Sequence, residues 1–118
     1  MKISVMGTEY TLITKKYDEE PLFSEKGICG WCSHADRVIV VCDFRTHPEF
    51  KNETDAVYDI TRKETVRHEL IHAFLYESGL ADSTFNQSYG WAKNEEMVDW
   101  IAMQLPKIVA AMKEADCL

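Results

Sequence analysis

The chain has 118 residues, the size of one domain, and 46% of them are hydrophobic, so a folded core is expected rather than disorder. Thirteen basic residues stand against twenty acidic ones, and the net charge of −7 disfavours nucleic-acid binding, because contacts to phosphates need a basic face. The longest apolar run, Val38–Cys42, is too short to span a membrane, and the first residues show no signal-peptide core. We therefore expect a single domain over residues 1–118, located in the cytoplasm, with no membrane or nucleic-acid partner and with reduced cysteines.

In chain order, the first half of the sequence predicts strands. Alternating apolar and polar residues on both sides of Gly7 predict a β-hairpin over residues 2–15. Residues 16–27 are expected to form an irregular connection. A second strand pair is expected over residues 28–33 and 37–43, with its strongest strand where the residues are β-branched.

The second half predicts helices. A long helix is expected over residues 62–77, where Thr61 and Glu64 fit a capping box and Gly79 is a natural stop. Apolar side chains around most of its circumference indicate that it is buried on several sides. The fold class is therefore α+β, with a small, largely antiparallel sheet of about four strands packed on the helices.

A further helix is expected to start near residues 91–94 and to end at residue 104 or 105. Pro106 should break or kink it, because proline lacks the backbone donor that the helix needs. A last helical segment is expected over residues 107–114. The apolar stripe of this region is formed by Trp91, Val98, Ile101, Ala102 and Leu105.

The centre of the long helix reads His68-Glu69-Leu-Ile-His72. Histidines four residues apart lie about 40° from each other around a helix, on adjacent turns, so both imidazoles can reach one metal ion. Glu69 projects about 100° from His68 and is well placed to receive a proton from a metal-bound water. Unpaired imidazoles on a buried helix would be costly, whereas a metal satisfies one nitrogen of each. The pattern is the H-E-x-x-H of zinc peptidases, and it predicts a catalytic metal site.

Such a zinc site normally has a third protein ligand, for which Glu95 and Glu96 are the candidates. In helical projection Glu95 falls within about 40° of the centre of the apolar stripe, whereas Glu96 lies about 140° away on a mostly solvated side. Glu95 is therefore the better candidate. Asp99 lies one turn further on the same side and is a natural carboxylate partner for the second ring nitrogen of His68.

Taken together, His68-Glu-Leu-Ile-His72 and Asn94-Glu95-Glu-Met-Val-Asp99 resemble the motifs of the gluzincins, and the length of the chain resembles their minimal members, the minigluzincins. The sequence is also similar to small zinc peptidases carried by phages and mobile elements, some of which cleave repressors. The motif match covers residues 61–106. Residues 1–50 match only in architecture, and they begin with a hairpin where minimal gluzincins usually have a backing helix.

The resemblance implies a zincin-like fold and a zinc-dependent peptidase that hydrolyses a peptide or protein substrate. One Zn²⁺ per chain would be held by His68, His72 and Glu95. Glu69 would act first as general base towards the zinc-bound water and then as general acid. Two other functions stay open: a catalytically silent zinc-binding protein that recognises peptides or regulators, and a structural domain without metal. The presence of Glu69 favours the enzyme.

The resemblance further implies a tyrosine or histidine that donates to the developing oxyanion. Tyr89, Tyr76 and His47 are candidates, and the sequence does not choose among them. It also implies an edge strand above the metal that pairs with an extended substrate, and residues 38–44 are expected to form it.

Cys29-Gly-Trp-Cys32 has the spacing of a redox pair or of half a zinc site. Neither a thioredoxin-like context nor a second such pair accompanies it, so inert strand thiols are expected, and a tetrad with Cys42 and His34 has poor spacing. The resemblance also implies that the C-terminal segment with Cys117 could reach the zinc and keep the protein latent, as terminal segments do in some minimal gluzincins; a solvent-exposed tail is the favoured alternative, because chain ends are usually disordered. Three aromatic residues are expected in the core or along a groove: Phe85, Trp91 and Trp100.

Overall fold

A four-stranded sheet occupies the first third of the chain. The computed structural model describes residues 1–82 and 90–118, and it shows an α+β domain with a mixed sheet and three helices. The strands are β1 (Lys2–Val5), β2 (Thr8–Lys15), β3 (Gly30–Ser33) and β4 (Val38–Cys42). Their order in the sheet is β1-β2-β4-β3, in which β2 and β4 are parallel and the two outer pairs are antiparallel. The predicted hairpin and the predicted second strand pair are both confirmed.

The connection after β2 contains a helix that the sequence analysis did not predict. Helix α1 (Pro21–Lys26) follows Glu20, whose side chain accepts a hydrogen bond from the backbone N–H of Leu22. Pro21 occupies the first helical position, and Gly27 ends the helix with a φ of 62°. Proline at the start and a left-handed glycine at the end are the usual boundary signals of a helix. The expectation of an irregular segment over residues 16–27 is therefore wrong.

Strand β4 lies in the interior of the sheet, between β2 and β3. Ile39 and Val41 pack into the core beneath the long helix, while Val40 and Cys42 pack on the other face around Phe23 of α1. A continuous apolar run of this kind is typical of a strand buried on both faces. The expectation that residues 38–44 form the edge strand is therefore wrong, and the edge on that side is β3.

The long helix α2 spans Asp55–Glu77 and begins well before the expected residue 62. Its cap is Thr54, whose side chain accepts a hydrogen bond from the N–H of Val57 at 3.3 Å. Thr61 lies inside the helix, where its carbonyl accepts a hydrogen bond from the Thr65 hydroxyl, so the capping box expected at Thr61 is wrong. Gly79 follows the helix with a φ of 80°, as expected of a stop residue.

Helix α2 lies across one face of the sheet and is less buried than expected. Glu69 and Ala73 are the fully buried residues within it and Phe74 is 45% exposed, although α2 contacts the sheet on one side and α3 on another. At its end, the carboxylate of Glu77 accepts hydrogen bonds from Thr8 and from Tyr10 of β2, at 2.7 and 2.8 Å. These bonds anchor the last turn of α2 to the hairpin.

Helix α3 spans Glu95–Glu114 and continues through Pro106, so the expected break into two helices is wrong. In a regular helix the N–H of residue 106 would donate to the carbonyl of Ala102, and proline has no such donor. Arg67 of α2 takes that place, because its Nε donates to the Ala102 carbonyl at 2.6 Å. The proline thus leaves an acceptor through which α3 is attached to α2.

Trp91 and Trp100 lie along a surface groove and not in the core, which is one of the two positions expected for them. Trp91, in a single 3₁₀ turn before α3, is 62% exposed, and Trp100 is 59% exposed. Val98 and Ala102 are the buried residues of α3, and Leu105 is exposed. Phe85 lies outside the described residues. None of the helices in the described ranges is long and apolar enough to cross a bilayer.

Candidate metal centre

Helix α2 brings two imidazoles and a carboxylate together. His68 and His72 are four residues apart, and their Nε2 atoms lie 3.0 Å from each other. Potential ligand atoms of His68, Glu69 and His72 all lie within 4.8 Å of one another. Nitrogen and oxygen donors converging from one helix can share a single cation. This group could therefore hold a metal ion.

Glu95, at the first position of α3, faces the same pair of histidines. Its Oε2 lies 3.1 Å from Nε2 of His68 and 3.2 Å from Nε2 of His72. The start of α3 is fixed by Asn94, whose side-chain oxygen accepts a hydrogen bond from the N–H of Met97 at 2.8 Å. The structure therefore brings Glu95 to the two histidines, as the helical projection predicted.

Asp99, one turn after Glu95, contacts the outer side of His68. Its Oδ1 lies 2.7 Å from Nδ1 of the imidazole. A carboxylate accepts only, so this contact assigns the ring proton to Nδ1 and leaves the lone pair of Nε2 directed at His72 and Glu95. Burial also lowers the pKa of His72, which favours its neutral form. Neutral imidazoles are the form that binds metals.

Glu69 lies behind the two histidines at the sheet edge, and the residue is 5% exposed. Burial raises the pKa of its carboxyl to about 7, and the nearby carboxylates of Glu95 and Asp99 add to the rise while His68 opposes it. Burial disfavours the charged form of an acid that lacks a close cationic partner. Among the described residues Glu69 makes no hydrogen bond, and its side chain lines the groove.

Strand β3 passes close over Glu69, and Gly30 makes this approach possible. A Cβ at residue 30 would lie 2.8 Å from Cγ2 of Thr65 and 3.0 Å from Oε1 of Glu69. A glycine inside a strand often marks such a close approach. This glycine lies within the Cys29-Gly-Trp-Cys32 segment, which the sequence analysis interpreted only by the spacing of its cysteines. The close approach of β3 to α2 was therefore not predicted.

A groove runs between β3 and α2, with the histidines at its middle. One part, of about 390 Å³, extends towards the start of α2, and the other, of about 300 Å³, extends towards its end. Both parts are lined by Ile28, Gly30, His68, Glu69 and Glu95. The first part adds Cys29, Thr61, Glu64, Thr65 and Asp99, and the second adds Trp31, Cys32, His72 and Tyr76. The site is therefore open to a ligand that lies along β3.

The three candidates for an oxyanion donor have different positions. Tyr89 lies outside the described residues. Tyr76 lines the groove, and its ring stacks on His34 with centroids 4.4 Å apart. His47 is buried among aromatic rings, its Nδ1 accepts a hydrogen bond from the N–H of Glu49, and it does not line either part of the groove. The structure therefore brings Tyr76, and not His47, to the site.

The cysteines do not form a metal group. In the described ranges the one cluster with metal-ligand spacing contains no cysteine. Burial raises the pKa of Cys32 and of Cys42 to about 12 and also raises the pKa of Cys29, so these thiols are protonated at neutral pH. This agrees with the prediction of inert strand thiols.

Cys117 lies far from the histidines. It is exposed beyond the end of α3, and its thiol contacts the carbonyl of Met112 at 3.4 Å. Twenty residues of helix separate this end from Glu95, or about 30 Å at 1.5 Å per residue. The structure therefore places the C-terminal segment away from the candidate metal centre.

Comparisons of the chain with protein-family models, with curated proteins and with solved structures give no match. Any statement about its function therefore depends on the geometry of its own residues.

Proposed function

We propose that this chain is a zinc-dependent peptidase of the gluzincin type, with a zincin-like fold. The observation that carries the proposal is the convergence of three donor atoms, Nε2 of His68, Nε2 of His72 and Oε2 of Glu95, at separations of 3.0, 3.1 and 3.2 Å. Two ligands about 2.1 Å from a tetrahedral zinc lie about 3.4 Å apart, which is close to these separations.

The chemistry of the donors also fits zinc in a catalytic rather than a structural role. Two imidazoles and one carboxylate form a three-ligand set that leaves a fourth position open, whereas structural zinc sites are usually closed by cysteines. A bound Zn²⁺ would supply Lewis-acid chemistry, polarising a peptide carbonyl and acidifying a water molecule. Asp99 would hold the imidazole of His68 in the tautomer that binds the metal.

Glu69 is the residue to which we assign proton transfer. It accepts a proton from the attacking water as the bond between the water oxygen and the peptide carbon forms. It then delivers that proton to the amine nitrogen as the carbon–nitrogen bond breaks. Its burial and its place in both parts of the groove support this role.

The substrate would lie along β3, the sheet edge beside the metal centre. Within the part of the chain that the structure describes, β3 pairs with β4 alone, so the backbone groups on its other side would be available to an extended peptide. Gly30 lets that strand pass close to Glu69, and a bound peptide would therefore lie within reach of the proton acceptor.

The proposal is tested first by metal content. Purified protein should contain one zinc per chain by elemental analysis, and Glu95→Gln should lose most of it. The matched control is Glu96→Gln, which changes the neighbouring exposed carboxylate and should keep full occupancy. Equal zinc content in the two variants would contradict the ligand assignment.

Hydrolysis separates the enzyme from a silent binding protein. Zinc-loaded wild-type protein should cleave peptides from a proteome-derived library, and a chelator should abolish the cleavage. Stoichiometric zinc without any cleavage would contradict the peptidase and favour a protein that only recognises peptides.

A further inference from the structure

The two parts of the groove differ in their chemistry. The part towards the end of α2 is lined by Cys32, His72 and Tyr76, together with Glu69 and Glu95, which line both parts. The part towards the start of α2 is lined by threonines and carboxylates. No lysine or arginine occurs among the described residues that line either part. A peptide that lies along β3 would therefore meet carboxylates along the groove, and two of them, Glu64 and Asp99, line only the part towards the start of α2.

Four carboxylates line the acidic part: Glu64, Glu69, Glu95 and Asp99. Three of them have assigned roles, because Glu95 faces both histidines, Asp99 contacts His68, and Glu69 is the buried proton acceptor. Glu64 has none, and it has no hydrogen-bond or ion-pair partner within the described ranges. Without counting the buried Glu69, three carboxylates line this part, and a divalent ion would offset two of their charges, so the groove would still attract a cation.

A second observation points to a ligand at this place. Glu69 is 5% exposed and makes no hydrogen bond among the described residues, although its side chain lines the groove. A buried carboxylate without a protein partner is costly unless a ligand supplies one. The groove is therefore a binding site and not only an acidic surface.

Resting on the proposed function, we propose that Glu64 is a specificity-determining residue that binds a cationic group of the peptide substrate. Glu64 lies four residues before His68, about 6 Å along the helix. An extended peptide advances about 3.3 Å per residue, so the cation would belong to a residue about two positions from the reacting bond. The cation is an ammonium or guanidinium group, supplied either by a lysine or arginine side chain or by the free amino terminus of the peptide.

The test measures binding in the inactive Glu69→Gln protein, loaded with zinc, so that no probe is cleaved. The probes are acetylated and amidated octapeptides of alanine in which one arginine occupies each position in turn, with a matched set that carries glutamine. A third probe is the all-alanine peptide with a free amino terminus. Dissociation constants come from calorimetry.

At one position the arginine peptide should bind about tenfold more tightly than its glutamine counterpart, as expected for one ion pair in a partly buried groove. Adding Glu64→Gln should reduce this ratio to less than about twofold, and adding Glu64→Asp should preserve part of it. The matched control Glu53→Gln, an exposed carboxylate before α2, should leave the ratio intact. If the free amino terminus is the cation, the unacetylated peptide shows the same tenfold gain and the same loss with Glu64→Gln.

Equal binding of charged and neutral peptides would overturn the inference, as would a preference that survives Glu64→Gln. The proposed function fails separately: a charge preference that depends on Glu64, without cleavage by the wild-type protein, would overturn the peptidase and leave the cation site standing. Cleavage by the wild type without a charge preference would overturn the cation site alone.

Discussion

Replacing Arg67 by methionine should destabilise the protein by about 1–3 kcal/mol, the cost of leaving a buried acceptor without a donor. The acceptor is the carbonyl of Ala102, a residue that is 1% exposed. Arg67 donates to it at 2.6 Å, and Pro106 cannot, because it has no N–H. Methionine keeps most of the apolar stem of the arginine, so that the loss reports mainly the hydrogen bond.

Arg67→Met should lower the free energy of unfolding by a smaller amount when Pro106 is also replaced by alanine. The backbone N–H of the introduced alanine would then donate to the carbonyl of Ala102 as in a regular helix, and removal of Arg67 would leave no orphaned group. We expect a coupling free energy of about 1–2 kcal/mol between the two sites, measured by urea unfolding of the wild type, both single variants and the double variant. Equal costs of Arg67→Met in the two backgrounds would refute this explanation of how α3 is attached to α2.

Three further predictions follow from the site and its support. Gly30→Ala should lower the free energy of unfolding by about 1–2 kcal/mol, because the clash of the new Cβ with Thr65 and Glu69 outweighs the entropy gain. Adding Thr65→Ser should recover part of this loss. Wild-type stability of Gly30→Ala would contradict the close approach of β3 to α2. Asp99→Asn should weaken zinc affinity about 10–100-fold in chelator competition, and an unchanged affinity would show that Asp99 does not orient His68. Hydrogen bonds from Thr8 and Tyr10 lower the pKa of Glu77, so the stabilising effect of its carboxylate is present at neutral pH and is lost as pH falls through the folded-state pKa. Glu77→Gln should therefore be less stable than wild type at pH 7, and the difference should shrink below about pH 4. A difference in stability that does not change with pH would contradict this prediction.

The local parts of the site could be predicted from the sequence because helix geometry fixes them. The spacing of His68 and His72 alone places two imidazoles on adjacent turns, and the projection of α3 separates Glu95 from Glu96. The hairpin could be predicted in the same way, since Gly7 and the alternation around it are local signals.

The position of β4 could not be predicted so simply, because strand order depends on partners distant in sequence. The uninterrupted apolar run of β4 indicated burial on both faces, and this argues for an interior strand. The edge strand is β3, whose glycine and half-buried Cys32 give a weak strand signal. The groove was therefore assigned to the wrong strand, although it lies above the expected helix.

The predicted helix boundaries were wrong where the sequence carries two competing signals. Thr54 and Thr61 are both residue types that can cap the start of a helix. Packing of the first turns of α2 favours the start at Thr54, since the hydroxyl of Tyr58 donates a hydrogen bond to the carbonyl of Phe50. Pro106 normally ends a helix, but Arg67 satisfies the carbonyl that the proline leaves free. A partner 35 residues away in the sequence is not visible in a local pattern.

The central claim, that Glu69 transfers the proton in a zinc-dependent hydrolysis, is tested most directly by Glu69→Gln. The amide has the size of the carboxylate but cannot accept the proton, so kcat/KM for a cleaved peptide should fall about 10²–10⁴-fold. Zinc content should stay at one per chain in the variant, and Glu53→Gln should behave as the wild type. Undiminished hydrolysis by zinc-loaded Glu69→Gln would contradict the proposed chemistry.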